Sequence, residues 1–134
     1  MTDQAEQSVS GVLAAVAQGD RDALARALEG GGDPNARDRL GGPVLSVAAA
    51  RGDLESVRLL LERGADPNSV SEVGNSPLMI AAARGRPEVA RALLEAGAKA
   101  SATNDWGLGA ADWAQWAKDP AEMRALIAEH RESA

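Results

Sequence analysis

The sequence predicts an all-α solenoid, a row of stacked helix-turn-helix units, and three observations predict it. Gly19, Gly52 and Gly85 stand 33 residues apart; so do Gly31, Gly64 and Gly97, and so do Gly41, Gly74 and Gly107. The apolar positions between the glycines keep the same step, as Leu28, Leu61, Leu94 and Ile127 do. Within a period, two short apolar stretches of helical spacing flank one glycine. A unit this small cannot bury its own apolar face, so neighbours must lean on one another. Such a row offers a surface that holds another molecule rather than a pocket that performs chemistry.

Cutting the chain at the repeat gives units at about 5–37, 38–70, 71–103 and 104–134 within a single domain over 1–134. The third unit is the clearest. Ser76 supplies a hydroxyl acceptor for free backbone donors, and Pro77 follows with a missing N–H that costs nothing at the first helical position. A helix is expected from Pro77 to near Arg84, where Gly85 takes the left-handed conformation that closes it. Pro87 opens a second helix whose Ala90, Leu93 and Leu94 fall on one face, and Gly97 closes it. The second unit repeats the logic with Leu45, Val47 and Ala48, a break at Gly52, an Asp53 cap, and then Val57, Leu60 and Leu61. Helices of about eight residues are not stable alone in water, so stacking has to hold them.

The composition agrees. At 134 residues the chain is one domain, and its 45% apolar content is mostly Ala, Leu and Val, with no Phe, no Tyr and three Trp. Small residues suit closely packed helices and exclude a bulky aromatic core. A formal net charge of −6 argues against nonspecific binding to nucleic acid or to an anionic membrane, since both require a basic face. There is no cysteine for disulfides or thiolate metal sites. Met1 to Gln7 is polar rather than a charged-then-apolar leader, and no window approaches the ~18 to 20 apolar residues of a membrane span. A cytoplasmic protein is expected, and the abundance of Ala, Arg and Gly points to a GC-rich, bacterial gene.

Gly74, Ser76-Pro77-Leu78, Ala81-Ala82, Gly85, Leu93-Leu94 and Gly97-Ala98 in the third unit resemble the ankyrin repeat. Leu59-Leu60-Leu61-Glu62-Arg63-Gly64-Ala65-Asp66-Pro67-Asn68 in the second resembles it nearly residue for residue. The resemblance covers about residues 8 to 130. It implies an L-shaped stack: first helices line a concave inner face, second helices form the convex back, and the connectors project as β-hairpin fingers. It also implies protein binding through finger tips and inner helices, with very few enzymes among the members. The Thr-Pro-Leu-His start of the family's first helix becomes Pro43-Val44-Leu45-Ser46, Ser76-Pro77-Leu78-Met79 and Gly109-Ala110-Ala111-Asp112. The hydrogen bonds attributed to that Thr and His are then partly missing, and a stack less stable than a consensus one is expected. The first unit lacks a glycine-turn finger and resembles an N-terminal cap. The fourth resembles a C-terminal cap, with Lys118 for the inter-helix glycine and His130 for the closing one.

Equivalent slots map the surface. The finger slot before the turn glycine holds Leu40, Val73 and Trp106, with Leu108 beyond Gly107. An exposed apolar column is costly to keep unless a partner covers it. These residues read either as a partner-binding stripe, Trp106 foremost, or as side chains packed along neighbouring fingers. On the inner face Arg51 and Arg84 share a slot with Gln18 and Ala117. The two guanidiniums suit a carboxylate-bearing partner segment, or else they solvate the face or pair with a nearby acid. Trp116 takes the adjacent inner slot, so Trp106, Leu108 and Trp116 are expected to converge at one end of the groove. Trp113 reads as core.

The catalytic inventory is nearly empty. His130 has no cysteine or second histidine to work with. Asp20 with Asp22, and Asp53 with Glu55, fall at second-helix starts, where carboxylates meet the positive end of the helix dipole. Gly30-Gly31-Gly32 precedes Asp33-Pro34-Asn35 and lacks the strand, helix and lysine of a phosphate loop. No catalytic residue, cofactor or metal is expected. The reading is a non-catalytic module that binds another protein and is a monomer on its own. The alternatives are a self-associating structural protein and an inhibitor or immunity-type subunit of an enzyme.

Overall fold

Local signals place the helix boundaries first. In the computed structural model, which describes the backbone of residues 3–131 and the side chains of residues 11–130, eight α-helices follow in order. They are α1 (Asp3–Gln18), α2 (Arg21–Glu29), α3 (Val44–Arg51), α4 (Leu54–Glu62), α5 (Pro77–Ala83), α6 (Pro87–Glu95), α7 (Ala110–Trp113) and α8 (Pro120–Arg131). Met1, Thr2 and residues 132–134, which the sequence reading counts within the domain, lie outside the described residues.

The expected caps form. Ser76 Oγ accepts from Met79 N at 3.2 Å at the start of α5, and Asp20 Oδ1 accepts from Ala23 N at 3.0 Å at the start of α2. At α4, Asp53 accepts from Ser56 N at 3.2 Å and from Ser56 Oγ at 2.7 Å. Elsewhere a cap is lacking. Pro43 precedes α3 with no side-chain acceptor, and the Ser46 hydroxyl is buried without a hydrogen-bond partner. At α7 the first slot is Gly109, and only Asp112 reaches back, accepting from Gly109 N at 2.8 Å.

The odd-numbered helices pack in one row, α1 on α3, α3 on α5 and α5 on α7; the even-numbered ones form a second, α2 on α4, α4 on α6 and α6 on α8. The apolar layer between the rows is the core. Leu24, Leu45, Leu60, Leu78, Leu93 and Ile127 fill it, while Ala48, Ala81, Ala90 and Ala114 are fully buried and let the helices approach closely.

Gly52 closes α3 with φ +69°, and a Cβ there would stand 2.8 Å from Arg86 Cδ. Glycine is needed twice over, for the backbone and for the room it leaves. Through that room the next pair sends an arginine to an orphan carbonyl at the helix end: Arg86 Nη2 donates to Ala50 O at 3.3 Å. Arg51 crosses Gly19 in the same way, donating from Nη1 to Ala17 O at 2.8 Å.

A second set of bonds ties consecutive pairs. Asn35 Nδ2 donates to Gly64 O at 3.2 Å while its Oδ1 accepts from Asp66 N at 2.7 Å. One period later Asn68 repeats the clamp on Gly97 O at 3.0 Å and Lys99 N at 2.9 Å. Asp33 and Asp66 orient these asparagines by accepting from Asn35 N and Asn68 N, each at 2.8 Å.

One expectation is not confirmed and one needs correction. The expected β-hairpins are not confirmed: among the described residues the connectors are turns that hold isolated antiparallel bridges, Arg37 with Pro43 and Thr103 with Gly109. Their arms are too short to extend a ladder, and single bonds join neighbouring connectors: Arg37 donates to Val70 O at 2.7 Å, Asn104 Nδ2 to Asn75 Oδ1 at 2.8 Å and Asp105 N to Val73 O at 2.9 Å. Trp113 is half-buried rather than core. Its slot is that of Val47 and Ile80, which are also half-buried, and a larger ring cannot be enclosed where smaller side chains are not. α7 is only four residues long and tightens into a 3-10 turn, Ala114–Trp116.

Candidate functional site

The connectors present their tips on a fixed backbone. In the first, Gly41 N donates to Asp38 O at 3.0 Å, and Asp38 Oδ1 accepts from both Leu40 N (2.9 Å) and Gly42 N (2.8 Å). In the last, Asn104 Oδ1 does the same for Trp106 N (2.9 Å) and Leu108 N (3.0 Å). In the middle one, Ser71 Oγ accepts from Asn75 N at 3.2 Å. Short polar side chains therefore hold each turn from within, and the apolar tips of the first and last turns face outward.

Leu40 is 83% exposed and Trp106 66% exposed. Leu108, beside Trp106 in the same turn, is also exposed, whereas Val73 is half-buried. Trp116, 60% exposed, lies on the 3-10 turn after α7. Its ring leans on that of Trp113, with centroids 5.5 Å apart and planes tilted by 56°. The buried indole N–H of Trp113 has no hydrogen-bond partner.

The two inner-face arginines are not equivalent. Arg51 is exposed, but its Nη1 is engaged on Ala17 O. Arg84 is exposed and makes no side-chain hydrogen bond or ion pair among the described residues. The carbonyl it would reach by analogy, Ala50 O, is taken by Arg86. Arg86 stands in the slot that holds Asp20 and Asp53 in the preceding pairs, so α6 has no side-chain cap and the arginine joins two units instead. No periodic signal reveals this, because the residue breaks the period. Asn35 and Asn68 do recur at the repeat step, which is the signal that marks them as structural.

The fold shifts the titration of Asp53. Its partial burial on its own raises the carboxyl; the hydrogen bonds from Ser56 and the Arg21 guanidinium at 3.2 Å outweigh that and hold it below the ordinary carboxylate range. These partners cap a helix and bridge α2 to α4. His130 Nδ1 lies 3.1 Å from Leu126 O of its own helix.

The slots, turns and helix pairs match a known architecture. A family model for ankyrin repeats, in three copies, matches residues 12–104. The chain belongs to the ankyrin-repeat family. Ankyrin repeats are generally protein–protein interaction modules, and the family is generally non-catalytic. The match ends where the last pair departs from the repeat, with a shortened α7 and Lys118 in the glycine slot. No curated protein matches the chain. Among the described residues of this ankyrin-repeat chain, no helix is long and apolar enough to cross a membrane.

Proposed function

We propose that this ankyrin-repeat chain is a non-catalytic module, one domain over 1–134, that binds a partner protein. The partner lies along the finger column of Leu40, Val73, Trp106 and Leu108 and continues onto Arg84 and Trp116, with Arg51 at the edge of the same face. One observation carries the reading: Leu40 and Trp106 are largely exposed on turns whose backbone is already held by side-chain hydrogen bonds. Apolar groups presented on a rigid support lose little conformational entropy on binding, and tryptophan is prominent among residues that dominate binding energy.

The test is affinity capture from the native source with wild-type protein and with Leu40→Ser/Trp106→Ala. Both side chains are exposed, so the double variant is expected to keep its helical circular dichroism while losing the partner by at least roughly tenfold. Retention of full affinity by a folded double variant refutes the placement. The alternative that the stripe holds a second copy of the chain is separated by sedimentation velocity at micromolar concentration, where this reading expects a monomer.

A further inference from the structure

The position before each apolar tip is charged: Arg39 before Leu40, Glu72 before Val73 and Asp105 before Trp106. Both carboxylates lean back onto the turn of the preceding finger. Glu72 Cγ lies 3.0 Å from where a Cβ on Gly41 would be, and Asp105 Oδ1 lies 3.2 Å from the corresponding point at Gly74. The backbone sets the second placement, since Asp105 N donates to Val73 O at 2.9 Å. Along the column the order is therefore Leu40, Glu72, Val73, Asp105, Trp106, with apolar tips and carboxylates interleaved.

Glu72 and Asp105 are both exposed, and neither takes part in an ion pair among the described residues. A surface that interleaves apolar contacts with unpaired anions complements a segment that interleaves apolar and cationic side chains, and it disfavours one carrying carboxylates. At Asp105 and Trp106 a carboxylate stands in sequence beside an exposed indole, which offers a guanidinium an ion-pair partner and a π face together. At the back of the stack, a groove of about 450 Å³ between α4 and α6 is rimmed by both signs, Arg58 and Arg91 with Glu62, Glu88 and Glu95.

Resting on the fingertip reading above, we propose that the partner is a protein segment in which Arg or Lys residues alternate with apolar ones. Its cations sit on Glu72 and on the corner made by Asp105 and Trp106, and its apolar side chains cover Leu40, Val73 and Trp106.

A random peptide library displayed on phage, selected against the full chain, tests this. Enriched peptides are then titrated against wild type, Glu72→Gln/Asp105→Asn and Leu40→Ser/Trp106→Ala. The expected peptides interleave Arg or Lys with apolar residues. They bind about tenfold more weakly to Glu72→Gln/Asp105→Asn, which keeps the shape of both side chains, and are lost on Leu40→Ser/Trp106→Ala. No enrichment, acidic or uncharged peptides, or binding unchanged by Glu72→Gln/Asp105→Asn overturns the charge proposal. Where such peptides are still lost on Leu40→Ser/Trp106→Ala, the fingertip site stands. Peptides that bind Leu40→Ser/Trp106→Ala as tightly as wild type overturn the fingertip site itself.

Discussion

Asn68→Ala removes two hydrogen bonds that cross a single joint of the stack, the one from Nδ2 to Gly97 O at 3.0 Å and the one from Lys99 N to Oδ1 at 2.9 Å. A net hydrogen bond contributes ~1 kcal/mol, and water replaces part of what is lost at the exposed Gly97 and Lys99, so the expected destabilisation is about 1–2 kcal/mol. For a chain of this size that lowers the thermal midpoint by roughly 3–8 °C, followed by far-ultraviolet circular dichroism. Asn35→Ala breaks the same clamp at the preceding joint and is expected to cost a similar amount. Ser101 occupies the equivalent slot one period on; it is exposed and makes no such clamp, so Ser101→Ala serves as the control. An Asn68→Ala melt within about 1 °C of wild type, or a Ser101→Ala loss as large as that of Asn68→Ala, refutes the idea that these asparagines carry nearest-neighbour coupling.

Asp53→Asn keeps an acceptor for Ser56 N and gives up the charge that faces Arg21, so it is expected to lose ~0.5–1 kcal/mol at neutral pH. Because the folded carboxyl titrates below its unfolded value of about 3.9, that contribution is complete above the unfolded value and is lost as pH falls through the folded one. Urea midpoints of wild type and Asp53→Asn should therefore converge in acid, and a gap that persists there contradicts the assignment. Ser46→Ala deletes a buried hydroxyl without a partner, so urea denaturation should show unchanged stability or a gain of up to ~1 kcal/mol. A clear loss means the hydroxyl has a partner after all.

The parts of this fold legible in the sequence are those decided within a few residues. Ser76 and Pro77 start α5 because a hydroxyl and a missing N–H act on the adjacent turn, and Asp20 and Asp53 cap their helices for the same local reason. The glycine rows set the period because each takes a positive φ at a turn. α5 stops at Ala83, one residue before the expected Arg84, which becomes its C-cap. Of the candidate site, the slots of Leu40 and Trp106 are visible from the repeat alone. The exposure of those side chains is not, because it depends on where the next finger lies.

What the sequence determined by itself is the repeat, its helix pairs and the order in which they follow, since caps, turns and apolar spacing act between near neighbours. Only the tertiary structure decided that Arg86 rather than Arg84 reaches Ala50 O, that Trp113 stays half-buried beside Trp116, and that Glu72 and Asp105 lean onto the turns before them. Each of those outcomes joins atoms of different helices or turns, and when one donor or ring takes a place in the stack its neighbours in sequence are left to find another.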